Sequence, residues 1–207
     1  MTGPDEFAKV YNVSRETLDR LNTYHQLLHK WNPSINLVSR STLADAWARH
    51  FADSAQLWSL SPETATLWAD FGSGGGFPGM VIAIFAAEKR PAMEVVLVES
   101  DGRKAAFLSA VARETGITPR ILTDRVETLQ ALQADVVSAR ALASLDVLLG
   151  YAARHLVPGG MALFPKGEKA QAELDNARAT WRFSLQEHRS QTDPSAAILQ
   201  IEGLCRV

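Results

Sequence analysis

The sequence predicts an α/β fold: a mostly parallel sheet wrapped by helices, with an N-terminal helical extension and a C-terminal antiparallel strand pair. Three observations predict it. Short apolar runs alternate with helical stretches from Thr66 onward, two amphipathic patterns precede them, and two strand-like runs separated only by a turn follow them.

The elements can be justified in order. Ser14 is placed to cap a helix whose apolar residues Leu18, Leu21, Leu28 and Trp31 recur at roughly helical spacing until Asn32-Pro33 ends it. A second helix is expected from about Ser41 to Leu60, with Leu43, Trp47, Phe51, Ala55 and Trp58 along one face. Residues 1–62 are therefore assigned to an extension that packs on a core domain of residues 63–207. Its parallel strands are expected at Thr66 to Phe71, Glu94 to Val98, Arg120 to Thr123, Ala134 to Ser138 and Met161 to Phe164. A helix is expected after each, except for a short link after Thr123. Arg182 to His188 and Ala196 to Leu204 read as two strands joined around Thr192-Asp193-Pro194, hence the antiparallel pair.

Composition narrows the function classes. A chain of 207 residues, 46% hydrophobic and 21% charged, is an ordinary globular domain with one core and room for one active site. A formal net charge of -2 excludes a general polyanion binder, so any contact with nucleic acid must come from a local patch. Cys205 is the sole cysteine, which leaves no disulfide framework and no cysteine-based zinc site. His25, His29, His155 and His188 lack partners at metal-ligand spacing, so no metal is expected. Met1 to Val13 lacks the basic start and apolar run of a signal peptide, and no stretch approaches membrane-spanning length. A cytoplasmic protein is expected.

The most informative segment is Asp70-Phe71-Gly72-Ser73-Gly74-Gly75-Gly76-Phe77-Pro78-Gly79, which follows a predicted strand and opens a predicted helix. Its glycines permit tight turning and close approach of a ligand. Gly74 to Gly79 also satisfies the dinucleotide pattern G-x-G-x-x-G, but the D-x-G-x-G-x-G register from Asp70 to Gly76 favours S-adenosylmethionine over a nicotinamide cofactor. Asp70 at the strand end is placed to hydrogen-bond or attract the cationic amino-acid end of that ligand. Phe77 and Pro78 fill the helix start that a pyrophosphate would need. Glu99 ends the second strand, where an acid can hold two ribose hydroxyls of either cofactor.

With Asn36-Leu37, Arg49-His50-Phe51-Ala52-Asp53-Ser54, Gly72 to Gly79, Glu99-Ser100, Lys104, Phe107-Leu108, Ser138-Ala139-Arg140-Ala141 and Lys166-Gly167 in one order, the chain resembles the RsmG (GidB) family from about Asn36 to Gly167. The resemblance implies a class I S-adenosylmethionine-dependent methyltransferase fold, Rossmann-like, with a helical N-terminal extension. It also implies methylation of N7 of one guanine in the decoding-region loop of bacterial 16S ribosomal RNA, free or in a small-subunit assembly intermediate. Family cofactor positions fall on Gly72, Phe77, Val126, Glu127 and Arg140. Glu99 stands where many relatives carry Asp, and Arg103-Lys104 where paired lysines are usual.

The cofactor-binding set expected is thus Asp70, Gly72, Ser73, Gly74, Phe77, Pro78, Glu99, Val126, Glu127 and Arg140. Guanine N7 carries its own lone pair, so no general base is nominated, and Arg140 is assigned to positioning at the carboxyl edge of the sheet. Arg49, His50, Arg103, Lys104, Arg125 and Lys166 are assigned to substrate RNA, forming a basic rim that reconciles RNA binding with a negative chain. An equal alternative for Arg49, His50 and Asp53 is a polar network that docks the extension. Arg113, Arg120, Arg154 and Arg189 are read as solvated, and Trp31, Trp47, Trp58, Trp68 and Trp181 as core or seam. The protein is expected to be a monomer. A small-molecule methyltransferase and a non-catalytic cofactor-binding ribosome-assembly factor remain open, with a nicotinamide dehydrogenase more distant.

Overall fold

A computed structural model describes residues 3–207. Seven strands, β1 (Leu67–Phe71), β2 (Glu94–Val98), β3 (Arg120–Leu122), β4 (Ala134–Ala139), β5 (Leu156–Lys166), β6 (Trp181–Arg189) and β7 (Ala197–Arg206), form one sheet in the order β3-β2-β1-β4-β5-β7-β6. β1 to β5 are parallel, and β7 enters antiparallel between β5 and β6. All seven expected strands are present. β5 is longer than the apolar run Met161 to Phe164 because its first half pairs with β4 across a register shift between Ala134 and Val136.

Alternation along the strands divides the core in two. Trp68, Val95, Leu97, Val136 and Leu163 point to one face, and Ala69, Phe71, Val96, Val98, Val137, Ala139 and Ala162 point to the other. Helices α7 (Leu145–His155) and α8 (Ala170–Ala177) cover the second face. Helices α5 (Gly79–Lys89) and α6 (Gly102–Thr115) cover the first. Gly79 through Ala86 of α5 are all buried. A helix apolar all round must be enclosed on all sides, and here the enclosing layer is the extension.

That extension departs from the expected pair of helices in three ways. Residues ahead of Ser14 form an additional helix, α1 (Pro4–Tyr11), with Phe7 fully buried against Trp47 and Phe85. Helix α2 (Arg15–Ile35), capped by the Ser14 hydroxyl at Thr17 N–H, does not stop at Asn32-Pro33. Pro33 lies in its last turn, where it removes only one backbone bond, and Asn36 in the left-handed region closes the helix with its N–H on the Asn32 carbonyl. The expected single helix from Ser41 to Leu60 is broken into α3 (Arg40–Leu43), a π-helical turn Trp47–Ala52, α4 (Asp53–Ala55) and a 3-10 turn Trp58–Leu60. The wider turn buries Trp47 and Phe51 against the core while carrying His50 toward the end of β4.

Truncating Phe7 to alanine should cost about 3–5 kcal/mol in equilibrium denaturation, the range for a buried phenylalanine. A loss below about 1 kcal/mol would show that α1 lies outside the cooperative core.

Candidate functional site

The glycine-rich turn joins β1 to α5 at the carboxyl edge of the sheet, and its glycines answer to different neighbours. Gly72 (φ 63°) and Gly74 (φ 55°) retain some exposure; Gly72 lies under the Leu142 side chain, whereas a Cβ on Gly74 would meet nothing closer than the Gly72 carbonyl at 3.7 Å. Gly75 and Gly76 face the extension. A Cβ on Gly75 would come within 3.1 Å of the Leu37 carbonyl oxygen, and one on Gly76 (φ 91°) within 2.5 Å of the Tyr24 hydroxyl. Tyr24, on α2, donates its hydroxyl to the Gly75 carbonyl and stacks on Phe77, with ring centroids 5.1 Å apart.

Asp70 and Phe77, expected to touch a ligand, are turned inward. Asp70 has no exposed surface. Its Oδ1 accepts from Ser138 Oγ at 2.7 Å and its Oδ2 from Gly79 N–H at 3.1 Å, so it ties β4 and the start of α5 to β1. Burial pushes its pKa up to about 6 against the lowering effect of those donors and of Arg140. Phe77 is packed among Tyr24, Phe51 and His50. Ser73 and Pro78 are also buried, and the Ser73 hydroxyl donates to the Asp70 carbonyl.

Glu99 receives Gly74 N–H and Asp101 N–H, each at 2.8 Å, on its two carboxylate oxygens. It therefore clamps the turn to the end of β2. Beside it a pocket of about 170 Å³ is bordered by Gly72, Val98, Ser100, Arg125, Val126, Glu127, Leu142 and Tyr151. The 126–129 segment is held from outside. Arg154, read as solvated in the sequence, donates to the Glu127 and Leu129 carbonyls, and buried His155 pairs through Nε2 with the Val126 carbonyl.

On the other side of Leu142 lies a cleft of about 800 Å³. One wall is Arg49, His50, Asp53, Thr192 and Asp193, the floor is Arg140 to Ser144, and the other wall is Pro165 to Lys169 with Glu173. Arg140 lies at the junction. It donates to the Arg49 carbonyl and to Asp53 Oδ2, both at 3.2 Å, approaches His50 Nδ1 at 3.1 Å and rests 5.2 Å from the Phe77 ring centroid. A guanidinium cannot accept, so His50 Nδ1 accepts and Nε2 carries the proton, donated to Thr42 Oγ1 at 2.8 Å. Burial, with Arg140 and Arg49 nearby, pulls the His50 pKa down to about 3. Thr192 donates to Asp53 Oδ1 at 2.9 Å, and Arg49 pairs with Asp193 at 3.0 Å.

The Arg49, His50 and Asp53 group thus forms the docking network that was one of its two readings, and it also walls the cleft. Arg103 and Arg125 are exposed and paired with their chain neighbours Asp101 and Glu127 at 3.4 Å. Lys166 is turned away from solvent onto the Ala143 carbonyl and Glu173. The sequence reading missed Tyr24, Thr42, Leu142, Glu173 and Thr192. None sits in a motif, and only contact across the chain brings them to the site.

The site divides, on either side of Leu142, into a small pocket and a larger cleft walled by charged side chains. Residues 17–199 match the GidB family, described as rRNA small subunit methyltransferase G. Two curated relatives bear the name ribosomal RNA small subunit methyltransferase G. The one from Ruegeria pomeroyi is 51% identical over the whole of both chains, and the one from Rhodospirillum centenum is 56% identical over 96% of this chain and 90% of its own. A solved structure of a ribosomal protein L11 methylase from Lactobacillus delbrueckii superposes with a TM-score of 0.59 at 17% identity, covering 72% of this chain and 76% of that one, which establishes a shared fold.

The state of His50 sets a pH dependence. Its folded pKa of about 3 lies below the ordinary 6.5, so below pH 6.5 the unfolded chain takes up a proton that the folded chain refuses, and stability falls on acidification. Above pH 6.5 the group contributes no such dependence. His50→Gln keeps an acceptor for Arg140 and a donor for Thr42 without titrating. Denaturation of both proteins across pH 7.5 to about 4.5 should show the variant gaining on the parent as pH drops; a constant difference would place His50 in contact with solvent. Asp70, with its raised pKa, acts in the opposite direction and is common to both proteins.

Proposed function

The chain belongs to the GidB family, the rRNA small subunit methyltransferases G, and on that premise we propose that it transfers a methyl group from S-adenosylmethionine to N7 of one guanine in the decoding-region loop of 16S ribosomal RNA. The observation that carries the reading is the junction at Gly72 and Leu142, where the small pocket meets the cleft at the carboxyl edge of the sheet.

The residues present suit the donor. Gly72 borders the small pocket under Leu142, and Glu99, held still by two backbone N–H groups, ends β2 between the pocket-lining residues Val98 and Ser100. Val126 and Glu127, on the small pocket, would flank the adenosine part, and Arg140, on the adjoining cleft, would face the carboxylate of the methionine part. The bound donor supplies an electrophilic sulfonium methyl. N7 attacks with its own lone pair and releases no proton, so the enzyme's task is alignment and exclusion of water. In keeping with this, His50, the histidine lining the cleft, has both ring nitrogens engaged and is held neutral. Arg49 at the cleft and Arg103, Lys104 and Arg125 at the strand ends would meet RNA phosphates. The ion pairs of the three arginines are exposed, and a phosphate can displace them.

We place the enzyme in the cytoplasm as a monomer, acting on 16S RNA or an assembling small subunit. In support, no helix among the described residues is long and apolar enough to cross a membrane. The exposed large apolar residues Val10, Leu142, Val147 and Val207 are scattered along the chain.

Incubation with labelled S-adenosylmethionine and 16S RNA from cells lacking the enzyme should put label into a single N7-methylguanosine, identified by nuclease digestion and mass. Donor binding without label in RNA or in small subunits would overturn the reading in favour of a small-molecule substrate or a non-catalytic role. Arg140→Ala should weaken donor binding about tenfold or more by calorimetry. It should also cost about 1–3 kcal/mol of stability, because Asp53 and His50 lose their partner. Undiminished donor affinity would remove Arg140 from the cofactor site.

A further inference from the structure

The segment Arg140 to Ser144 forms the floor of the cleft and the partition between the two pockets, and its conformation is not one that the chain adopts freely. Ala141 has φ 54°, in the left-handed region that side chains avoid. The next residue, Leu142, lies so close over Gly72 that a Cβ there would come within 2.6 Å of the Leu142 Cδ1. Such a conformation persists only if it is tied on both sides. Upstream, Arg140 is fastened to Asp53, His50 and the Arg49 carbonyl.

Downstream, the tie is Lys166 at the end of β5. Its side chain is only 10% exposed, and Nζ donates to the Ala143 carbonyl at 2.9 Å and to Glu173 Oε2 at 2.7 Å. The same Glu173 oxygen accepts Leu145 N–H at 2.6 Å, at the first residue of α7. Three elements, β5, α7 and α8, thus meet at one charged pair whose two partners each hold one end of the Ala143-Ser144-Leu145 stretch. A lysine with two of its three donors spent inward and its side chain only 10% exposed is poorly placed to serve an RNA phosphate.

We propose that Lys166 and Glu173 are positioning residues for methyl transfer: they fix the Arg140–Ser144 loop so that Leu142 and Arg140 stand correctly between donor and acceptor. The inference rests on the methyltransferase reading above and refines the place of Lys166 within it. The pair acts through the loop and makes no contact with RNA.

The test uses the full chain with Lys166→Met, Glu173→Gln and the double variant, and reads S-adenosylmethionine affinity by calorimetry, kcat in the 16S RNA assay, and RNA affinity across a salt series. The expected result for Lys166→Met is a donor affinity and kcat lowered about tenfold or more, with RNA affinity and its salt slope unchanged. Glu173→Gln should shift donor affinity the same way, and the double variant should be little worse than Lys166→Met, because the two residues form one tie. Reduced RNA affinity with the salt slope smaller by about one unit and intact donor binding would make Lys166 a phosphate contact and overturn the proposal. Additive losses, or no change in donor binding or kcat, would overturn it as well. If the unmodified protein binds donor but methylates no RNA, the functional reading fails instead, and the donor-affinity arm still decides whether the tie exists.

Discussion

Asp70 joins β1, β4 and α5 through a carboxylate with no exposed surface. Ser138 reaches it from β4, Gly79 N–H from the first turn of α5, and Ser138 is in turn bonded by the indole N–H of Trp68 at 2.9 Å. A buried carboxylate without donors would be strongly destabilising, so the strands and helix are held in the one arrangement that supplies them. That arrangement fixes the paired ends of β1 and β4 at the point where the strand order turns from β2-β1 to β4-β5, and both pockets open there. A strand-end acid in such a turn can contact a ligand, but here the carboxylate builds the floor on which contact takes place.

The extension is part of the site in the same physical sense. Tyr24 and Leu37 press on Gly75 and Gly76 from outside the sheet domain, and of the turn's glycines Gly72 borders the small pocket. Phe77 sits between Tyr24 and His50, under the Arg140 guanidinium, so the aromatic packing of the extension and the charged network at the end of β4 share one ring. Displacing the extension would therefore disturb the turn, the arginine and the cleft wall together. The apolar stretch Gly79 to Ala86 of α5 makes such separation costly, because its outer face would be exposed to water.

Three ion pairs line the cleft: Arg49 with Asp193, Arg140 with Asp53, Lys166 with Glu173. The pairs differ in depth. Arg49 is nearly half exposed and Lys166 nearly enclosed. An entering polyanion competes readily for the first and poorly for the last. This gradient lets a chain of net charge -2 offer cations at its rim while keeping the floor of the site fixed.

By itself the sequence determined the parallel strands, the antiparallel pair that ends the sheet, the glycine turn and the donor class. Short apolar runs, strand-end acids and a D-x-G-x-G-x-G register are local signals, each produced by residues that are neighbours in the chain. Composition likewise left room for only one core. Other features were settled by tertiary contact. The expected helix from Ser41 to Leu60 broke because Trp47 and Phe51 needed one neighbour and His50 another. Helix α1 had no pattern to announce it beyond Phe7, whose pocket is made by Trp47 and Phe85. Asp70, Phe77 and Lys166 stood where a ligand would be expected, but their side chains point into the protein, because the partners that claim them, Ser138, Tyr24 and Glu173, lie 68, 53 and 7 residues away and come close only on folding. A residue's place in a motif fixes where its backbone goes; which way its side chain faces depends on what the rest of the chain packs around it.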